Sequence, residues 1–87
     1  MAHTLEDLLD ELEDVDDATR EEAAKALAER GDPSTLDALI GACGDDFWSV
    51  RAYAGCGAAK IGGPKAVEAL IGLFNDPIIE VRNQAVD

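Results

Sequence analysis

Two cysteines, one histidine and nineteen carboxylates are the groups with which this 87-residue chain could do chemistry. A metal site needs three or four convergent ligands, usually with imidazole or thiolate among them. The sole histidine, His3, stands in the N-terminal tail with no such company and is expected to be solvated. The acidic runs lack the alternating spacing of a calcium loop, so they would attract divalent cations only diffusely. Gly57 to Lys65, GAAKIGGPK, superficially suggests a phosphate-binding loop, but Gly63 stands where the loop lysine belongs and no strand precedes it. Of the two thiols, only Cys56 has a basic neighbour one helical turn away, Lys60, and one lysine gives a thiolate little support. No catalytic constellation emerges, so the chain is expected not to be an enzyme and to need no cofactor or metal.

The charge balance narrows the partners further. Nineteen acidic residues against seven basic ones give a net charge of −12. Phosphate backbones and anionic membrane surfaces are bound through Lys and Arg, so neither nucleic acid nor membrane is an expected partner. A solvated acidic surface, in a salt-rich cytoplasm for example, is the plainer account of this charge. No apolar run approaches the ~20 residues of a membrane span. The acidic N-terminus is the opposite of a signal peptide, and two cysteines without a disulfide framework suit a cytoplasmic protein.

What must position any site is a repeat. Asp14, Asp45 and Asp76 recur at an interval of 31 residues, as do Arg20, Arg51, Arg82 and Ala23, Ala54, Ala85. Leu5, Leu8, Leu9 and Leu12 form one helical stripe, and the same offset returns it as Leu36, Leu39, Ile40, Cys43 and as Val67, Leu70, Ile71, Phe74. Each striped helix ends in a turn opened by one of the aspartates, and a second helix with small apolar positions follows. Gly31 and Gly62-Gly63 suit helix stops, and Pro33 and Pro64 suit the next starts. The expected helices are about 4–13, 17–30, 33–43, 47–61, 64–75 and 77–87, all in one domain with repeats of about 1–32, 33–63 and 64–87. Aromatics are only 5% of residues against 47% hydrophobic overall, which favours close helix packing over a sheet core. A fixed period of this kind marks an all-α stacked array in which no unit buries its own core.

The third unit reads as unfinished. Ile78, Ile79, Val81, Ala85 and Val86 would ordinarily be covered by more of the same array, and a polar cap is missing there. The chain is therefore expected to be a fragment of a longer array, or to pair with another copy through Ile78, Ile79, Val81 and Ala85.

Asp45…Val50-Arg51…Ala54…Ala58…Ile61-Gly62, followed by Pro64, resembles a HEAT repeat of the short variety found in phycobilisome lyase subunits. Repeat one carries Asp14…Arg20…Ala23…Leu27…Gly31-Asp32-Pro33 with Thr19 in the valine position, and repeat three carries Asp76-Pro77…Val81-Arg82…Ala85. The resemblance implies an α-solenoid with striped helices on the convex side and alanine-rich helices on the concave side. It also implies that Arg20, Arg51 and Arg82 reach toward Asp14, Asp45 and Asp76 as a structural ladder, a geometry suited to charge-assisted hydrogen bonds. It implies no activity, because fold does not decide function. HEAT-repeat hydroxylases bind di-iron through recurring His-Glu pairs, which this sequence lacks.

On the concave face the central repeat carries the least charge and the chain's only Trp and Tyr. Trp48, Arg51, Tyr53, Cys56 and Lys60 are accordingly the candidate contacts for a protein partner, since Trp, Tyr and Arg are enriched at binding hot spots. Cys43 falls on the apolar stripe and is expected in the core. Protein–protein scaffolding is the expected function. The alternatives are an accessory part of a bilin lyase, for which Cys56 or Tyr53 would contact bilin, and a self-associating structural module.

Overall fold

The computed structural model describes residues 4–86, with side chains through Asn83. Its helices are α1 (Leu5–Glu11), α2 (Asp17–Arg30), α3 (Leu36–Ala42), α4 (Trp48–Ile61), α5 (Pro64–Leu73) and α6 (Ile79–Val86). Together they form an all-α array of three helical hairpins, as the period predicts.

Local chemistry sets the boundaries. Thr4 caps α1 by accepting the Asp7 amide at 3.1 Å while its own amide donates to the Asp7 carboxylate, a reciprocal capping box. Asp16 caps α2 through the Thr19 amide, and Gly31 ends it with φ of 59°, a left-handed position that costs glycine nothing. The expected single helix over 33–43 is divided. Asp32 accepts the Ser34 amide and hydroxyl, and the Thr35 hydroxyl donates back to the Asp32 carbonyl, tightening Pro33–Thr35 into a 3₁₀ turn ahead of α3.

The helices form two layers. In one, α2, α4 and α6 pack side by side through small residues; in the other, α1, α3 and α5 lie further apart. Gly57 shows how close the first layer comes. A Cβ there would meet Ala28 Cα at 3.1 Å and Leu39 Cδ1 at 2.9 Å. On the opposite layer open grooves of about 470 and 490 Å³ separate α1 from α3 and α3 from α5. A tight layer against a splayed one is a wedge, so stacking curves the array toward α2, α4 and α6.

The main core is Leu8, Leu12, Ala23, Ala24, Leu27, Leu39, Ala42, Val50 and Ala54. A second cluster joins Ala52, Leu73 and Val81, with Ile78 and Leu70 packed against it. One expectation is corrected here. Val81 is fully buried, because Leu73 and Ala52 from neighbouring helices already cover it, so it is no part of an open face. Ile78 is half-buried and Ile79 is exposed, while the Ala85 side chain lies outside the described residues, as does His3. Val67 and Ile71 on α5 and Phe74 at its C-terminal cap are exposed although their counterparts in repeats one and two are covered or half-covered.

Candidate functional site

Building from the turns upward, each repeat aspartate first shapes its own loop. Asp14, Asp45 and Asp76 accept the amide two residues on, from Asp16, Phe47 and Ile78, at 2.9, 2.9 and 3.0 Å. The arginine of the following helix then donates Nη1 to that aspartate's backbone carbonyl, at 2.8, 2.8 and 2.7 Å for Arg20, Arg51 and Arg82. The carboxylate contact goes elsewhere. Arg20 forks onto Asp45 at 2.9 and 3.2 Å, and Arg51 forks onto Asp76 at 2.6 and 3.1 Å, each reaching the next repeat. The ladder thus ties unit to unit, where the resemblance alone implied only a reach toward the turn aspartates.

This geometry has electrostatic consequences. The Arg51 fork holds the Asp76 carboxyl below its ordinary value near 3.8, and the Ile78 amide adds to the effect. Hydrogen bonding to Asp45, then to Asp17, raises the Arg20 guanidinium above its usual value. Arg51, a partner contact expected from sequence, has all three nitrogens engaged, since Nη1 also reaches the Asp46 carbonyl at 3.1 Å. Lys60 is engaged too, donating Nζ to the Glu29 carbonyl at 2.8 Å and so completing the C-terminal end of α2. Both side chains thus help to hold the stack.

The other three candidates converge. Trp48, Tyr53 and Cys56 line a groove of about 350 Å³ that runs across α2, α4 and α6, with Phe47, Ser49 and Ala52 completing its lining and Glu21 and Glu80 contributed by the two flanking helices. Trp48 is the first residue of α4 and 41% exposed, while Tyr53 is half-buried against the main core. Ser49 is only 6% exposed, and its hydroxyl has no hydrogen-bond partner among the described residues. Sequence reasoning missed Ser49 and Glu80. The 31-residue offset pairs equivalent positions, whereas the groove joins positions that are neighbours across different helices.

The thiols differ sharply. Cys43 touches both core clusters, and burial pushes its thiol up to about 11, so at pH 7 about one in 10⁴ is thiolate. Cys56 is exposed. Maleimide is accordingly expected to label Cys56 almost exclusively near pH 7, as peptide-mapping mass spectrometry would show. Comparable labelling of Cys43 would mean that its packing is loose.

Among the described residues no three His, Cys, Asp or Glu side chains converge to hold a metal ion, and no helix is long and apolar enough to cross a membrane. A family model described as HEAT repeats matches residues 5–87. No curated protein matches the chain.

Proposed function

Because this chain belongs to the HEAT-repeat family, we propose that it is a protein-binding module that engages its partner through the face made by α2, α4 and α6, at the Trp48–Tyr53 groove. HEAT arrays in general work by mediating protein–protein contact, and the partner-specific part is the proposal. The observation that carries it is the groove itself, where the only tryptophan stands partly exposed beside apolar residues of α4 and its N-cap, flanked by one residue from each of α2 and α6. Exposed aromatics beside a concavity are the usual anchors of binding energy. The module acts without catalysis, in the cytoplasm, and the free thiols of Cys43 and Cys56 agree with a reducing compartment. The finer likeness to the short repeats of phycobilisome lyase subunits is part of the same proposal. It rests on the Asp…Val-Arg…Ile-Gly pattern and extends to no bilin chemistry, since Cys56 is the sole attachment candidate and lacks a supporting base.

Binders selected from a random peptide library test this directly. Trp48→Ala is expected to weaken them about thirty-fold, the effect of losing a hot spot of about 2 kcal/mol. A bulky maleimide adduct on Cys56 should block them. Selected binders indifferent to both changes would sink the proposal.

A further inference from the structure

The groove also carries information about what it binds. Glu21 from α2 and Glu80 from α6 stand at the groove on opposite sides of α4. Neither carboxylate makes a hydrogen bond or ion pair within the described residues. Lys25, one turn from Glu21 on α2, forms no ion pair with it, and the two nearby arginines are committed elsewhere. Arg20, beside Glu21 in sequence, is held by Asp17 and Asp45, and Arg51 is held by Asp76. Two uncompensated carboxylates thus share a concavity with Trp48 and Tyr53, in a chain already carrying a charge of −12.

We propose that this groove takes a cationic segment of a partner protein, seating an arginine side chain against Trp48 and Tyr53 within reach of Glu21 and Glu80. The inference rests on the groove being the docking site. Aromatic faces attract cations through the ring quadrupole, and an adjacent carboxylate adds charge-assisted hydrogen bonds. Arginine fits better than lysine because its planar guanidinium stacks and donates in several directions at once. The alternatives fit less well. A phosphate or acidic peptide meets the wrong field, and a purely apolar helix would leave Glu21 and Glu80 desolvated without partners. The unpartnered Ser49 hydroxyl is a further polar group that the fold leaves unused here. A volume of about 350 Å³ lies at the small end of the ligand-site range, about 300–1,000 Å³, which is room for a side chain or two of a docked segment.

Since Trp48 is the only tryptophan, its fluorescence reports the groove alone. The probes are a short blocked peptide with arginine at its centre between leucines, and the same peptide with citrulline, which keeps the shape and removes the charge. At about 0.15 M salt the arginine peptide is expected to bind about tenfold tighter. Any cation is drawn to so acidic a protein, so two charge-matched double variants separate the groove from the general field. Glu21→Gln with Glu80→Gln should abolish the arginine preference, whereas Glu13→Gln with Glu68→Gln should preserve it. Equal loss in both variants would reduce the effect to long-range attraction and overturn the inference. Equal binding of both peptides to the native chain would also overturn it, while leaving the groove as a docking site. If neither peptide perturbs Trp48 the inference falls, and the Trp48→Ala test on library binders still decides the groove independently.

Discussion

Arg51→Ala is expected to lower the thermal midpoint by about 10 °C. The change removes a two-pronged contact to Asp76 together with the bonds that hold the Asp45 and Asp46 carbonyls. Asp76 is left behind with its side chain only 7% exposed and without its main counter-charge. Stranding an enclosed charge costs about 3–5 kcal/mol; the pair here keeps some contact with solvent through Arg51, so about 2 kcal/mol is expected. A domain of this size holds roughly 5–10 kcal/mol in total, and each kcal/mol moves the midpoint by about 4–8 °C. Arg51→Lys should lose most of the same stability, because an ammonium cannot reproduce the fork. Arg82→Ala, which removes one bond to the Asp76 carbonyl and a weaker charge contact with its carboxylate, is expected to cost no more than about 1 kcal/mol. Equal losses at Arg51 and Arg82 would show that the reach into the next repeat contributes nothing.

Acid should narrow the Arg51→Ala difference. A carboxyl whose folded value lies below its unfolded one contributes stability in full above the unfolded value, and loses it as pH falls through the folded value. For Asp76 the ordinary value is 3.8 and Arg51 is the leading cause of its depression. The gap between native protein and Arg51→Ala should therefore stay constant from about pH 7 to 5 and narrow below about pH 4. Protonation of carboxylates remote from Arg51 relieves self-repulsion in both proteins alike and cancels in the comparison, while loss of the Asp45 and Asp46 charges beside Arg51 adds to the narrowing. Urea denaturation of the pair across this range would read the narrowing.

The ladder also marks where sequence stops being informative. Asp14, Asp45 and Asp76 with Arg20, Arg51 and Arg82 were plain from their spacing, and so were the helix breaks at Gly31 and Gly62. A period, however, cannot say whether an arginine meets the aspartate of its own unit or of the next, because both stand at the same repeat position. The answer is both, backbone from one and carboxylate from the other. Val81 was misplaced for a related reason, since its cover comes from Leu73 and Ala52 on neighbouring helices. At the groove, Trp48, Tyr53 and Cys56 were legible as rare residue types on one helix. Glu80 and Ser49 carry no such mark, and Lys60 and Arg51 looked available because their bonds to Glu29 and Asp76 cross between repeats.

The close approach of α2 and α4 at Gly57 makes the second large prediction. Leu39 is fully buried, and Leu39→Ala is expected to cost about 3 kcal/mol through lost burial and the cavity left behind. Gly57→Ala acts in the opposite sense, by overfilling. Its methyl would lie 2.9 Å from Leu39 Cδ1 and 3.1 Å from Ala28 Cα. The tighter contact is with Leu39, whose fully buried end has little room to swing aside, and Ala28 backbone must give by a few tenths of an ångström as well, so α2 and α4 part. Alanine is the better helix former by about 1 kcal/mol, while overpacking costs about 1–3 kcal/mol, leaving a net loss of about 1 kcal/mol. Combined, the two changes should not add. With Leu39 shortened, the new methyl occupies space the leucine vacated, and the double variant should be about 1 kcal/mol more stable than the sum predicts. Strict additivity in urea denaturation would mean that Leu39 is not what confines residue 57. Because Glu21 lies on α2 and Trp48 on α4, parting these helices also widens the groove between them. Gly57→Ala should then weaken library binders while Leu39→Ala with Gly57→Ala recovers part of the loss, tying the packing of small residues in the inner layer to the site they shape.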